Sequence, residues 1–238
     1  MIFNMTDIDG YTADQIATRA ISGDIVCNTS VVQTAAFMWC SNITTATNLT
    51  ATSIGGYAFS NCSKMTTASF PKATVLANYA FYACYTLTSV SVPLVSSVAN
   101  YAFANCSKLA SISLPSATSI GAYAFRSCWS LTSISLPKIS SIYSNAFNNC
   151  SSLTTVRLSG IKLIGSYAFS NCQRLTSLYI TGITAVPTLS NSAFISTPIG
   201  GYSTTAGAYG TVYVPSSLLT SFKAATNWKS FSARIVAG

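Results

Sequence analysis

The sequence predicts an elongated α/β solenoid of stacked 22-residue coils, a right-handed superhelix with short parallel strands and a cap at each end. Three observations predict it. The dipeptide Ala-Phe recurs with Phe37, Phe59, Phe81, Phe103, Phe125, Phe147 and Phe169 spaced by 22 residues, and Phe194 follows after 25. Three residues behind each of the first seven stands Cys40, Cys62, Cys84, Cys106, Cys128, Cys150 or Cys172, so seven of the eight cysteines keep the same period. Downstream of the cysteine comes a spaced apolar triplet, as in Leu109-Ala-Ser-Ile112-Ser-Leu114, Leu131-Thr-Ser-Ile134-Ser-Leu136 and Leu153-Thr-Thr-Val156-Arg-Leu158.

Taken in chain order, residues 1–35 read as an N-terminal cap and a degenerate first coil. Thr12-Ala-Asp-Gln15 is a capping box opening a short helix to about Ile21, with Asp14 placed well against the helix dipole. The segment Asp24 to Val32 then puts Val26 and Val32 at the strand and closing positions, and leaves Cys27 outside the cysteine row. Residues 36–194 are the repeats. In each, period-two alternation turns Ile134 and Leu136, or their equivalents, inward and Ser133 and Ser135 outward. Pro71, Pro93, Pro115 and Pro137 end the strand where no further ladder donor is needed. An apolar residue at Ile54, Leu76, Val98, Ile120, Ile142 and Ile164 closes each coil before the next Ala-Phe. No coil buries its apolar face alone, so stacking in register must turn every such position into a ladder.

Residues 195–238 read as a C-terminal loop, strand and helix cap. A Gly-rich loop from Gly200-Gly201 through Gly207 and Gly210 leads to a strand Thr211-Val212-Tyr213-Val214, then Pro215 and a helix. Leu218, Leu219, Phe222, Ala225 and Trp228 make that helix's apolar stripe. The expectation is one domain over 1–238 without a linker.

Composition restricts the chemistry. The four acidic residues, Asp7, Asp9, Asp14 and Asp24, lie in the first 24 positions, and the chain has neither Glu nor His. General acid-base catalysis, base-activated Ser or Cys nucleophiles and His-carboxylate metal sites all need a group that is missing from residue 25 onward. The expectation is a protein that is no enzyme and needs no cofactor and no metal. Asp7-Ile-Asp9-Gly10 matches half a calcium loop, but the later Glu is missing, and it reads as a polar turn. Asn61-Cys-Ser63 and Asn105-Cys-Ser107 recur because the repeat recurs, and carry no glycosylation inference. No stretch reaches the roughly 18 apolar residues that a membrane helix needs. With Met1 as the start, Met1-Ile2-Phe3-Asn4 lacks the basic-then-apolar pattern of a Sec signal, and no anchor is expected.

The unit Leu-Thr-Ser-Ile-Ser-Leu-Pro, then Ser-Ile-Gly, then Tyr-Ala-Phe-x-x-Cys, resembles the BspA-like (Treponema-type) family of bacterial leucine-rich repeats, closely over about residues 36–180. Pro187 to Gly238, with Val-Tyr-Val-Pro and a Trp-containing helix, also resembles the C-terminal ends of many such proteins in gut bacteria and their phages. The resemblance implies surface display, adhesion or host-factor binding in some members, and brings no catalytic residues.

Four rows of side chains remain as functional candidates. Equivalent cysteines lie parallel, about one strand spacing (roughly 4.8 Å) apart, which suits buried free thiols better than disulfides. Tyr57, Tyr79, Tyr101, Tyr123 and Tyr167 form a row broken by Asn145, either a sugar- or peptide-stacking strip or rings packed between coils with wet hydroxyls. The outward strand positions Thr67, Ser89, Ser111, Ser133, Thr155 and Ser177, and Ser69, Ser91, Ser113, Ser135, Arg157 and Tyr179, make a flat hydroxyl surface. It is either a contact surface for an extended partner or neutral filler. Ser111, Ser113, Ser133, Ser135, Thr155, Arg157, Ser177 and Tyr179 are the candidate binding residues, with Arg157 and Tyr179 the natural hot spot.

The eleven basic residues after position 24 occupy several different repeat positions. That scatter points to solubility or weak polyanion attraction and away from specific nucleic-acid binding. The expected function is a binding or adhesion scaffold for a protein or glycan partner, with a structural or receptor-binding component of a phage particle as the alternative.

Overall fold

The computed structural model describes residues 22–201 and 209–238. The capping box at Thr12–Gln15, the helix to Ile21, the Asp7–Gly10 turn and most of the Gly-rich loop lie outside the described residues. Within them the chain is a solenoid of stacked 22-residue coils, each contributing parallel strands to two ribbons. The strands Ser22–Cys27, Asn42–Asn48, Thr67–Ser69 and Ser89–Ser91 pair in that order, and Ser133–Leu136, Thr155–Ser159, Ser177–Thr181, Thr211–Val214 and Ile235–Ala237 pair in theirs. Residues 111–114 lie between the two sets and pair with the first through one bridge, Ser91 to Ser113. Register follows the repeat: Ser133 faces Thr155 and Ser177, and Ser135 faces Arg157 and Tyr179. Alternation holds as expected, with Ile134, Leu136, Val156 and Leu158 buried and Ser133, Ser135 and Arg157 exposed.

The closing residues do more than close. They form a second parallel ribbon of eight two-residue strands, running from Val31–Val32 to Thr188–Leu189. The third side of each coil is neither helix nor strand. There the Tyr of Tyr-Ala-Phe and the residue four further on adopt positive φ, as at Tyr101 (57°) and Asn105 (64°). These paired reversals let Phe N–H groups bond to the Ala carbonyl of the next coil, at 2.8 Å for Phe59 to Ala80, Phe81 to Ala102 and Phe103 to Ala124. Backbone polar groups are thereby satisfied on the third side without a helix. Among the described residues the α-helix is confined to Leu219–Ala224, in the C-terminal cap.

The core is a set of ladders. Consecutive rings from Phe37 to Phe194 stack at 5.2–5.6 Å between centroids, with interplanar angles of 0–15°. Beside them run the buried free cysteines. From Cys62 onward each Sγ–H of the row donates to the carbonyl of the Phe 25 residues back, one coil away: Cys62 to Phe37 (3.1 Å), Cys84 to Phe59 (3.0 Å), Cys106 to Phe81 (3.1 Å), Cys128 to Phe103 (3.2 Å), Cys150 to Phe125 (3.1 Å) and Cys172 to Phe147 (3.1 Å). The niche therefore needs a small apolar side chain that can also donate.

Two readings at the ends need correction. In the first coil Ile25 and Cys27 are buried and Val26 faces outward, one residue off the expected register. An irregularity between Gly23 and Asp24 shifts the pairing, and a one-residue shift exchanges the two faces of a strand. At the other end the single expected helix is broken. Ser216–Leu218 is a 3₁₀ turn, Leu219–Ala224 is helical, and extended Ala225 (ψ 145°) stops it. Asn227 takes positive φ (65°), which turns Trp228 inward to donate from Nε1 to the Pro187 carbonyl at 2.8 Å. Trp228 and Phe231 then cover Phe194, at 6.3 and 5.8 Å between ring centroids, and so cap the Phe ladder. A final strand, Ile235–Ala237, extends the first ribbon beyond Val214.

Candidate functional site

The outward face of the first ribbon is built by alternation alone. Its two rows carry hydroxyls over most of their length, with Ser111, Ser113, Ser133 and Ser135 exposed and Thr155 and Ser177 half-buried. A third row just upstream is tied back into the solenoid. There the hydroxyls of Thr66, Thr88, Thr154 and Thr176 donate to carbonyls of the preceding coil at 3.0–3.5 Å. The third-row threonines are exposed too, but their hydroxyls are already engaged within the solenoid, which leaves the two outward rows to offer theirs.

The second outward row changes character toward the C-terminus. After Ser135 come Arg157, Tyr179, Tyr213 and Val236, each paired in register with the one before. The Arg157 guanidinium lies over the Tyr179 ring at 4.0 Å from its centroid, and Tyr179 stacks on Tyr213 at 4.5 Å and 8°. Arg157 and Tyr179 are therefore brought together, as the repeat implies. Tyr213 is a member that spacing missed, because it follows Tyr179 by 34 residues and a 22-residue count passes it by. Matching Thr211-Val-Tyr-Val to Ser177-Leu-Tyr-Ile by alternation finds it.

At the opposite end of the face stands Asp24, paired through Thr45 with Thr67. The hydroxyls of Thr45 (2.7 Å) and Thr44 (2.9 Å) donate to its Oδ1 and hold its carboxyl below the usual range.

The tyrosine row lies on the third side. Rings 57, 79, 101 and 123 stack at 4.6–4.7 Å and 4–8°. Their faces are covered by one another, and the Arg126 guanidinium sits 5.7 Å from the Tyr123 centroid. Sugar stacking needs an open aromatic face, and Tyr79 and Tyr101 are covered on both sides, whereas Tyr57 at the start of the stack and Tyr167, which lies beyond Asn145 and stacks on no ring among the described residues, are exposed. Of the two readings the geometry favours rings packed between coils.

Burial holds several of the thiols away from their reactive form. Burial raises Cys84 to about 12, and Cys27 and Cys40 to about 11. Among the described residues no three of His, Cys, Asp or Glu gather into a metal-binding group, and no helix is long and apolar enough to cross a membrane.

Comparison with known proteins gives one family and several distant folds. A model of the BspA type leucine-rich repeat region matches residues 30–118 and 74–200, in six copies. Among solved structures, the chain is similar to a leucine-rich repeat protein of T. pallidum at 24% identity, covering 72% of this chain and 80% of that one, with a TM-score of 0.49. A leucine rich cell surface protein of Faecalibacterium prausnitzii is 20% identical over 82% of this chain and 73% of that one, TM-score 0.35. A leucine-rich repeat protein of Bacteroides ovatus is 17% identical over 96% and 86%, TM-score 0.29. No curated protein matches.

Proposed function

The chain belongs to the BspA-type leucine-rich repeat family, and from that premise we propose that it is a non-enzymatic scaffold holding a protein or glycan partner across its strand face. The observation that carries this reading is the stack Arg157–Tyr179–Tyr213 in a row that is otherwise small hydroxyls. Nothing in the core requires large side chains there, since the residues between them, Val156, Leu158, Leu178 and Val212, do the packing. Aromatic and Arg side chains on a flat, partly exposed surface are what binding hot spots are made of. The hydroxyl rows beside the stack supply donors and acceptors for a polar rim.

The reading is tested on an array of host glycans and extracellular-matrix proteins. Ser113→Glu with Ser135→Glu alters the strand face, and Tyr101→Phe alters the tyrosine side. The expected result is specific capture of at least one class by the wild type, lost in the strand-face variant and kept in Tyr101→Phe. Complete silence, or equal loss in both variants, overturns it.

A further inference from the structure

The basic residues look scattered along the sequence, but folding sets most of them on one face or along its two edges. Lys64, Lys108 and Arg174 each stand three residues before a strand-face hydroxyl, at Thr67, Ser111 and Ser177. Lys72 and Lys138 stand just beyond the strand ends at Ser69 and Leu136, and Arg157 lies within the face. All six are exposed. Of the other basic residues among those described, Arg126 is on the tyrosine side, Lys162 borders the second ribbon, and Lys223, Lys229 and Arg234 belong to the C-terminal cap. Asp24 is the one side-chain carboxylate among the described residues, and it lies in the outward row two strands before Thr67. Its position marks where a cationic strip would end.

We propose that the strand face is a docking strip for an extended polyuronate, an acidic polysaccharide with one carboxylate per sugar, lying along the solenoid axis. This rests on the scaffold reading above and names its partner. Charge density selects the partner class. Six cations are spread over the six coils from Phe59 to Phe169, two in the first, none in the second and one in each of the other four, an average of one per coil. Coils rise by about 4.8 Å, close to the rise of one sugar in an extended chain. Duplex DNA carries a charge every ~1.7 Å and far outruns that supply. A single nucleic-acid strand comes nearer in charge, but its binding draws on open aromatic faces. On this face the Tyr179 ring is covered on its two sides by Arg157 and Tyr213. Rows of serine and threonine hydroxyls suit a hydroxyl-rich chain, and the guanidinium forks of Arg157 and Arg174 suit carboxylates.

The test titrates the full chain with polygalacturonate, with its neutral methyl ester and with poly(dT), following binding by calorimetry at low and high salt. The triple variant K64Q/K108Q/R174Q is compared with the cap variant K223Q/K229Q. Polygalacturonate is expected to bind, more weakly as salt rises. The ester and the triple variant should each lose at least about tenfold in affinity, with the cap variant unchanged. Absence of polygalacturonate binding, equal binding of the ester, equal loss in the cap variant or tighter binding of poly(dT) would each overturn the proposal. A neutral glycan or a protein captured on the array in the same preparation, while polygalacturonate fails, removes the polyuronate and leaves the strand-face scaffold standing.

Discussion

The Phe ladder and the outer row of the strand face obey the same 22-residue register, yet one is uniform and the other changes. From Phe37 to Phe194 every coil places a phenylalanine on the last, buried, at nearly constant spacing. The row Ser91, Ser113, Ser135 gives way to Arg157, Tyr179 and Tyr213 without disturbing the pairing beneath it. Packing density leaves no latitude inside, since a ring must meet an identical ring above and below. Outside, a strand accepts any side chain that leaves the ladder intact. A departure from the repeat in the free row is therefore available for the partner chemistry proposed above, whereas one inside would be a packing defect or a cap.

Substitutions can break this contrast. Phe103→Ala should lower stability by about 3–5 kcal/mol in urea denaturation, because both neighbouring rings lose a partner. Ser113→Ala in the free row should stay within about 0.5 kcal/mol. Equal losses at the two sites would erase the distinction between the rows.

The thiol row sharpens the contrast through pH. Burial raises Cys84 from an ordinary 9.0 to about 12, so the fold favours the neutral thiol. Its contribution is fully present below the unfolded-state value and is lost as pH rises from about 9 toward 12. The urea midpoint should fall over that range, and Cys84→Ala, less stable at pH 7, should show a shallower fall. Identical pH slopes for the two proteins would contradict the assignment.

A smaller effect is expected on the tyrosine side. Tyr101 has φ 57° and a stacked ring on either side, at 4.7 Å. Tyr101→Ala loses the stacking, about 0.5–1.5 kcal/mol by thermal melting. Tyr101→Gly loses the same contacts but suits left-handed backbone, so it should melt above Tyr101→Ala. The reverse order would mean that the extra freedom of glycine in the unfolded chain outweighs its ease in the left-handed backbone at that corner.

What was legible in the sequence follows the same division. Side chains that must repeat announce themselves, so the Phe and Cys rows, the strand alternation and the burial of Ile54 through Ile164 could be counted off directly. Backbone geometry carried by ordinary residues could not, and nothing in Tyr101 or Ser127 advertises positive φ. The thiol bond to a Phe carbonyl lies 25 residues back, a consequence of stacking that no local pattern displays. Reading failed where the period fails, at Val26 beside the Gly23/Asp24 irregularity and at Ile235–Ala237, which joins the ribbon after a helix and two turns. At the candidate site, Arg157 and Tyr179 were visible as exceptions to a hydroxyl row. Tyr213 was hidden by the insertion before it, and the gathering of cations along the face needed the coil to be closed.

The central claim, that the outer row carries binding while the inner ladders carry stability, is tested most directly by Arg157→Ala combined with Tyr179→Ala. Melting temperature and capture on the glycan and matrix-protein array are measured on the same preparation. The double variant is expected to melt close to the wild type, with stability changed by no more than about 1 kcal/mol, and to lose capture. Collapse of the melting temperature with capture retained by the folded fraction would contradict the claim.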